Sequence, residues 1–305
     1  MSIEYNEDNL VEQATVDILA NIGWDIQTAW GNEVFGVDGS LGRENKSEVI
    51  LQKYLLAALK VLNPDLPQSA YKDAYLQISQ READKALDRT NKEKYELIKS
   101  GVKVSFTNDD GELTRKTLKV FDFNNLDNNH FLAVRQLEVT GELYNRRPDV
   151  IGFVNGIPLV FFELKAHNRD LRHAYADNLK DYKDTIPHLF HTNAFVILSN
   201  GIDTQDNSGT KIGTITSPFK FFHEWKRISE NVEGVVSLDT TIRGTCSKSN
   251  LLDLFENFLL FDDAGGDVSK ILAKNHQYLG VNKALAQMSD ADSISELKNK
   301  LGVFW

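Results

Sequence analysis

Four charged residues stand at the two ends of one apolar stretch, residues 147–165, which reads RPDVIGFVNGIPLVFFELK, and three of them are of types that could do chemistry together. Asp149 lies near its start, and Glu163 and Lys165 lie at its end, one residue apart. Carboxylate oxygens, with a backbone carbonyl between them, are the hard ligands that Mg²⁺ prefers. The metal neutralises charge on a phosphodiester and lowers the pKa of a bound water, while a lysine can orient that water or stabilise developing negative charge. These residue types therefore suit Mg²⁺-assisted phosphodiester hydrolysis.

Glu163 and Lys165 end a strand that the sequence places in the centre of a sheet, because residues 159–162 are apolar on both faces. Side chains alternate between the faces of a strand, so Glu163 and Lys165 share one face. Charges at such a place are costly unless they are paired or functional. A structural Asp/Glu–Lys ion pair at the sheet edge is the alternative. Spacing alone favours that ion pair, since structural networks also cluster charges.

The position of Asp149 depends on the turn at Asn155-Gly156, which is a strong hairpin signal. A regular two-residue turn would set Asp149 opposite Phe162, on the other face of the sheet from Glu163. A three-residue connection, or a bulge with Gly156 in the left-handed conformation, would bring Asp149 to the face of Glu163. We predict the odd-length loop, because only then do the two carboxylates meet.

The elements around this hairpin indicate an α/β fold. Helical periodicity is found at residues 8–22, 47–62, about 69–88, about 169–184, 219–227 and 249–260. Strand patterns are found in a hairpin that turns at 109–111, and at 130–139 and 193–200. We expect a mixed central β-sheet flanked by helices, with extra helices at the N-terminal end.

Composition bounds the partners and the compartment. The chain has 305 residues and a net charge of −10, so it lacks the basic excess of a stand-alone nucleic-acid binder. Any nucleic acid would meet a local site while other chains or domains hold it. The single cysteine, Cys246, excludes an internal disulfide and suits a reducing cytoplasm. No apolar run approaches the length of a membrane span, so no membrane partner is expected.

The motif around the three charges resembles a known one. Pro148-Asp149 followed by Glu163-Leu164-Lys165 is similar to the PD-(D/E)xK motif of the restriction-endonuclease-like superfamily. The wider stretch, followed by VILSNGIDT at 196–204, resembles the N-terminal nuclease domain of type I restriction subunits, from the first helix to about residue 260. The resemblance implies a restriction-endonuclease-like core. It also implies that Asp149 and Glu163 bind Mg²⁺ and that Lys165 assists hydrolysis.

The same resemblance implies three supporting positions. Glu12 matches an acidic residue of the family's first helix, and its alternative is a solvated glutamate on a helix face. Asn178 and Tyr182 match a Gln-x-x-x-Tyr motif and lie four residues apart, on one helix face. Asn178 replaces the usual glutamine and is one methylene shorter. Tyr182 has packing on the sheet as its alternative.

Three basic residues near the motif are candidates for contacts with DNA phosphates. Arg146 and Arg147 directly precede Pro148-Asp149, and Lys180 lies on the helix of Tyr182. The alternative for each is a solvated side chain or an ion pair with an acidic neighbour.

The C-terminal residues resemble the start of an ATP-driven motor. The pattern divides the chain into a nuclease domain, 1–262, and a linker with the truncated start of the motor domain, 263–305. Gln277 resembles the adenine-recognising position, and residues 295–305 resemble the first motor strand. Because the sequence contains no G-x-x-x-x-G-K-[S/T], ATP is expected to act only through the missing part of a full-length subunit.

The sequence therefore predicts a Mg²⁺-dependent endonuclease domain of a type I restriction subunit. Its expected partners are double-stranded DNA and the modification and specificity subunits of the complex. Two alternatives are a non-catalytic module for assembly or motor coupling, and a recombination or repair nuclease of the same superfamily.

Overall fold

The computed structural model describes residues 7–82, 84–108, 110–201, 209–231 and 233–289. Within these ranges the helices are α1 (Glu7–Asn21), α2 (Gln52–Leu62), α3 (Gln68–Ser79), α4 (Leu87–Ser100), α5 (Leu171–His173), α6 (Lys180–Thr185), α7 (Leu238–Cys246), α8 (Lys248–Asn257) and α9 (Asn275–Ser289). The strands are β1 (Asp25–Thr28), β2 (Val102–Thr107), β3 (Leu113–Leu118), β4 (Phe131–Arg135), β5 (Val139–Thr140), β6 (Asn145–Arg146), β7 (Val150–Val154), β8 (Ile157–Leu164), β9 (Phe195–Ser199), β10 (Thr210–Gly213), β11 (Leu259–Asp262) and β12 (Ser269–Leu272). A π-helical segment, Ala174–Leu179, joins α5 to α6.

Six strands form the central sheet in the order β1-β4-β7-β8-β9-β10. The pairs β1–β4 and β8–β9 are parallel and the other pairs are antiparallel, so the sheet is mixed. All residues of β7, β8 and β9 are buried, as their apolar sequences require. The predicted α/β architecture, with helices flanking a mixed sheet, is confirmed. It is compatible with a restriction-endonuclease-like core.

The strand directions gather several strand ends at one edge of the sheet. The C-terminal ends of β1, β4, β8 and β9 and the N-terminal end of β7 lie together there. Residues that follow the first four strands and residues that precede β7 are therefore neighbours in space. We refer to this edge as the site edge.

The turn between β7 and β8 is a regular two-residue turn, so the predicted odd-length loop is wrong. Val154 pairs with Ile157, and both intervening residues are left-handed, with φ of 51° for Asn155 and 77° for Gly156. The Asn155 side chain fixes this turn, because it donates to Val120 O at 2.9 Å and accepts from the His130 N–H at 2.8 Å. This left-handed pair matches the right-handed twist of the strands.

The expected shift of register nevertheless occurs, inside β8 rather than in the turn. Phe153 pairs with Pro158 but Gly152 pairs with Val160, so Leu159 is the extra residue of a bulge. Pro158 has no N–H to donate to a ladder, which favours a bulge at this place. The Leu159 carbonyl instead accepts the N–H of Ala194 at 2.7 Å. Beyond the bulge, β7 and β8 pair in the register that places Asp149 on the same face of the sheet as Glu163.

Two predicted helices differ from the structure. The helix expected at about 69–88 ends at Ser79 as α3, and α4, Leu87–Ser100, was not predicted. The helix expected near 219–227 is wrong, because only Phe219–Phe221 forms a single 3₁₀ turn. His223 then exchanges two backbone hydrogen bonds with Ile212 of the edge strand β10, at 2.8 and 3.0 Å. The outer side of β10 has backbone N–H and C=O groups available for hydrogen bonding, and a helix at 219–227 would leave them unpaired.

The predicted domain boundary at 262–267 forms the connection between β11 and β12. The residues after it still pack on the body, where Tyr278 of α9 lies with its ring centroid 4.8 Å from that of Phe258. The proposed first motor strand, 295–305, lies outside the described residues, and the division at 262 stays a prediction. In the part of the chain that the structure describes, no helix is both long enough and apolar enough to cross a bilayer.

Candidate active site

Asp149 and Glu163 face each other at the site edge. The outermost pair of the β7–β8 ladder is Val150 and Phe162, so the next position sets Asp149 against Glu163 on one face of the sheet. The Leu164 N–H donates to Asp149 Oδ2 at 2.7 Å, which holds this carboxylate against the strand that carries Glu163. The structure thus brings together the two carboxylates that the sequence singled out.

Lys165 completes the group on the same face. Its Nζ lies 2.8 Å from Glu163 Oε1, and its side chain is 21% exposed, whereas that of Glu163 is only 1% exposed. Burial, and after it the charge of Asp149, raises the pKa of Glu163 to about 8, although Lys165 opposes the shift. When both carboxylates are ionised, the group of two carboxylates and one ammonium has a net negative charge. A cation placed between the carboxylates would relieve their repulsion.

The donor set fits Mg²⁺. The second oxygen of Glu163, Oε2, is buried and has no hydrogen-bond partner among the described residues. Asp149 supplies further carboxylate oxygen beside it, and Leu164, whose backbone carbonyl is another oxygen donor, directly follows Glu163 in the chain. No group of three or more Asp, Glu, His or Cys with metal-binding geometry occurs in the described ranges. Two carboxylates are sufficient for Mg²⁺, which keeps several of its waters.

Asn178 and Tyr182 cover Glu163 from the neighbouring helical run. The Asn178 amide lies close enough to Glu163 and Tyr182 to lower the pKa of each. Burial, followed by the charges of Glu163 and Asp149, raises the pKa of the Tyr182 hydroxyl, so it remains protonated. The Tyr182 ring also meets that of Phe161 edge-on, with centroids 5.5 Å apart. Tyr182 therefore both packs on the sheet and borders the site.

Glu12 reaches the site edge from α1 and is not a solvated residue, since it is only 4% exposed. Its carboxylate accepts from Arg135 Nη2 at 3.2 Å and from Gln136 Nε2 at 3.1 Å. The Gln136 N–H donates in turn to Asp149 O at 2.8 Å. Gln136 has a φ of 49°, a left-handed conformation that is rare for a residue with a side chain. Glu12 is thus linked to Asp149 through Gln136.

The three basic candidates have different surroundings. Arg146 forms a two-point ion pair with Asp181, with contacts of 2.5 and 2.8 Å, so its charge is compensated. Arg147 is exposed and stacks over Trp30, with 4.0 Å from Cζ to the ring centroid. Lys180 is exposed at the start of α6 and forms no ion pair within the described ranges.

Sequence reasoning missed Arg135, Gln136 and Trp30. Each follows or ends a strand at the site edge, but a polar or aromatic residue after a strand is common in turns. Only the parallel pairing of β1 with β4 and the left-handed backbone at Gln136 distinguish these positions, and neither is visible in the sequence alone.

Comparison with known proteins agrees with this geometry. The family described as "Type I restriction enzyme R protein N terminus" matches residues 4–210. The type I restriction enzyme HindI endonuclease subunit of Haemophilus influenzae is 33% identical over 98% of this chain and 28% of its own length. The MjaIXP endonuclease subunit of Methanocaldococcus jannaschii is 28% identical over 98% of this chain and 30% of its own length.

A third relative is the type I restriction enzyme EcoprrI endonuclease subunit of Escherichia coli, which is 26% identical over 66% of this chain and 62% of its own length. The chain thus spans less than a third of the first two relatives. The family match covers about two thirds of the chain and includes Asp149, Glu163 and Lys165. This chain belongs to the family of type I restriction enzyme R protein N termini.

Proposed function

We propose that the chain is the Mg²⁺-dependent DNA endonuclease domain of a type I restriction subunit, which hydrolyses phosphodiester bonds with a metal-activated water. Its family and the endonuclease subunits to which it is similar support a restriction endonuclease role. One observation carries the catalytic part of the proposal. Asp149 and the buried, unpartnered Oε2 of Glu163 converge on one face with Lys165, although the connecting turn is regular.

Asp149 and Glu163 are the residues that would hold the metal. When bound, Mg²⁺ would neutralise phosphate charge and lower the pKa of its water. Asp149 is already oriented by the Leu164 N–H, so its carboxylate need not reorganise. Glu163 is only 1% exposed, and Asn178 and the protonated Tyr182 lie beside it. The protein thus supplies a fixed arrangement of two carboxylates at the end of a rigid strand.

Lys165 has two roles in this proposal. Its ammonium group bonds to Glu163 Oε1 at 2.8 Å, which leaves Oε2 as the oxygen that faces a cation. An ammonium carries three donors, so this bond leaves others to orient the attacking water or to stabilise charge that develops on the phosphate. The partly exposed side chain of Lys165 can reach a substrate that approaches from solvent.

The remaining partners are also proposals. The family and the relatives imply a multi-subunit restriction complex that acts on DNA. We propose double-stranded DNA as substrate, modification and specificity subunits as partners, and ATP use through the motor domain of a full-length subunit. The net charge of −10 agrees with this division, because other parts of the complex would hold the DNA.

Plasmid cleavage by the assembled complex, with Mg²⁺ and ATP, tests the proposal. Glu163→Gln keeps the shape of the side chain but removes its charge, and Lys165→Ala removes the ammonium group. We expect each to reduce cleavage about 100-fold or more, while ATP hydrolysis remains at the wild-type rate. The matched controls are Glu112→Gln and Lys116→Ala, which remove the same charges from exposed positions on the β2–β3 hairpin.

Undiminished cleavage in both site variants would show that catalysis takes place elsewhere. The chain would then be a non-catalytic module for assembly or motor coupling. Cleavage by the wild-type chain alone, without ATP or partner subunits, would instead favour a recombination or repair nuclease of the same superfamily. Loss of cleavage in the controls would indicate a nonspecific effect of charge.

A further inference from the structure

We propose that Trp30 and Arg147 form a DNA-binding element beside the catalytic carboxylates, and that it holds the duplex backbone next to the phosphate being cleaved. The inference rests on the proposed nuclease function. It is carried by a contact at the site edge, where the Arg147 guanidinium lies over the Trp30 indole with 4.0 Å from Cζ to the ring centroid. We call this pair the Trp30–Arg147 stack.

The fold places the stack next to the active site. Trp30 follows β1, and the neighbouring Ala29 N–H donates to Arg135 O at the end of β4 at 3.0 Å. Arg147 stands two residues before Asp149, and the intervening Pro148 restricts the backbone between them. A duplex whose backbone reaches Asp149 therefore passes the stack.

A buried arginine, Arg43, anchors the loop that carries Trp30. Arg43 is fully buried, and its Nε and Nη2 lie 2.5 and 2.6 Å from the two carboxylate oxygens of Glu33. The same guanidinium donates to Glu138 O at 2.9 Å and to Glu48 O at 3.1 Å. These bonds tie the loop to the segment that precedes α2 and to the segment that follows β4. Trp30 lies on this anchored loop and is 51% exposed, so its ring faces solvent and is not buried in the core.

Arg147 differs from Arg135, Arg146 and Lys165 in being uncompensated. Arg135 is paired with Glu12, Arg146 with Asp181 and Lys165 with Glu163. Within the described ranges Arg147 has no carboxylate partner and meets only an aromatic face. Stacking leaves the in-plane N–H donors of a guanidinium available, and these match the geometry of a phosphate. In an acidic chain, a free cation at this position provides local attraction for DNA.

The chemistry of the stack favours a nucleic-acid backbone as its occupant. Phosphate contacts position a protein on DNA, and arginine supplies them without reading sequence. An exposed indole adds apolar contact with the sugars of DNA, or with bases that are unstacked from the duplex. This suits a domain whose target is read elsewhere in the complex. The occupant to which we commit is duplex DNA.

The affinity of the chain for a fluorescein-labelled duplex, measured by anisotropy with Ca²⁺ in place of Mg²⁺, tests the inference. We expect Arg147→Ala and Trp30→Ala to weaken binding about tenfold. Arg147→Ala should also reduce the dependence of log affinity on log salt by about one. Trp30→Phe keeps an aromatic face and should retain most of the affinity.

The chain offers a matched control pair on the other side of the sheet. Lys220 lies 4.9 Å over the ring of Phe221, which is 60% exposed, beyond the opposite edge strand β10. Lys220→Ala and Phe221→Ala remove the same kinds of group and should leave the affinity unchanged. Equal weakening by the control pair, or unchanged affinity in both Arg147→Ala and Trp30→Ala, would overturn the inference.

Two further readouts separate the stack from the nuclease proposal and from a protein interface. Cleavage that is lost while duplex affinity and its dependence on Arg147 and Trp30 persist concerns the nuclease proposal alone. A photocrosslinking residue at position 30 in the assembled complex should join to DNA. Crosslinks only to another subunit, with duplex affinity unchanged in Trp30→Ala, would show a protein contact and would refute the stack as a DNA element. Thermal unfolding of each variant confirms that it is folded.

Discussion

Asp149 and Leu164 are joined by a hydrogen bond of 2.7 Å, in which the Leu164 N–H donates to Asp149 Oδ2. This bond fixes the first carboxylate of the site to the strand that bears the second, directly beside Glu163. The backbone of a buried strand is among the most rigid parts of a protein, so the spacing of the two carboxylates is set by the sheet. Charge at Asp149 can therefore be changed without releasing the side chain.

Asp149→Asn should separate the charge of this residue from its position. The asparagine retains an oxygen that can accept from Leu164 N–H, so we expect the fold to persist. Cleavage by the complex should fall about 100-fold or more, because one of the two proposed metal ligands loses its negative charge. The pKa of Glu163 should also fall, since the Asp149 charge contributes to raising it. Cleavage assays and carboxyl-carbon NMR titration measure the two effects. An unchanged pKa of Glu163 would show that the two carboxylates do not interact as described.

Glu163 should make folding stability depend on pH. Its pKa is raised from 4.5 to about 8 in the folded protein, so between these values the folded state holds a proton that the unfolded chain has released. Stability should therefore fall as pH rises through this window. Glu163→Gln cannot titrate, and its stability relative to the wild type should increase from pH 5 to pH 8. Urea unfolding across that range measures the difference, which we expect to reach a few kcal/mol since each pKa unit is about 1.4 kcal/mol.

Lys165 provides the control for this pH effect, because its attraction opposes the shift at Glu163. Lys165→Met should raise the pKa of Glu163 further and steepen the loss of stability with pH. A pH dependence that is identical in wild type and Glu163→Gln would mean that another group is responsible.

The β7–β8 hairpin shows what the sequence can and cannot predict about this site. The alternation of side chains in β8 is local, so the shared face of Glu163 and Lys165 follows from the sequence. Placing Asp149 on that face requires a change of register, which was expected in the turn but occurs at Leu159. Pro158 was the available signal, because a proline inside a central strand indicates a bulge.

Long-range pairing explains the rest. The resemblance indicated Glu12, but its donors on Arg135 and Gln136 come from a strand more than a hundred residues away, and no local pattern links them. Arg146 is a candidate for phosphate contact with an ion pair as its alternative, and the fold produces the ion pair, because α6 brings Asp181 against it. Whether a surface charge is free or paired depends on which elements the fold places side by side. The sequence therefore supplied candidates, and only the fold distinguished Arg147 from Arg146.

Removal of Arg43 should destabilise the protein strongly. Arg43→Ala leaves Glu33, whose side chain is 6% exposed, as an uncompensated buried charge. Breaking such a pair costs about 3–5 kcal/mol, so we expect a clear fall in the unfolding midpoint. Lys46→Ala breaks the more exposed pair with Glu138 and should cost at most about 1 kcal/mol. A loss for Arg43→Ala no larger than for Lys46→Ala would show that the loop carrying Trp30 is not anchored as described.

A buried lysine secures the C-terminal hairpin to the sheet. Lys270 of β12 is 2% exposed, and its Nζ donates to Asn91 Oδ1 at 3.0 Å and to the backbone carbonyl of Asn193. The ammonium group also lies 5.2 Å from the centroid of the Phe261 ring. Burial lowers the pKa of Lys270 well below its usual value of 10.5. Neutral amide and carbonyl oxygens thus replace the water that would solvate this group.

Lys270→Met should therefore change how stability varies with pH. Above the lowered pKa of Lys270 and below 10.5, the unfolded chain binds a proton that the folded chain does not, so wild-type stability should rise as pH increases toward 10.5. The methionine variant lacks this gain, and its stability relative to the wild type should decline from pH 7 to pH 10. Lys270→Met also leaves Asn91 Oδ1 without its donor, which shifts stability at every pH. The test is therefore the slope of stability against pH and not its absolute value. Urea unfolding measures the slope, with Lys283→Met at an exposed ion pair as control. Parallel stability curves for wild type and Lys270→Met would contradict a lowered pKa at Lys270.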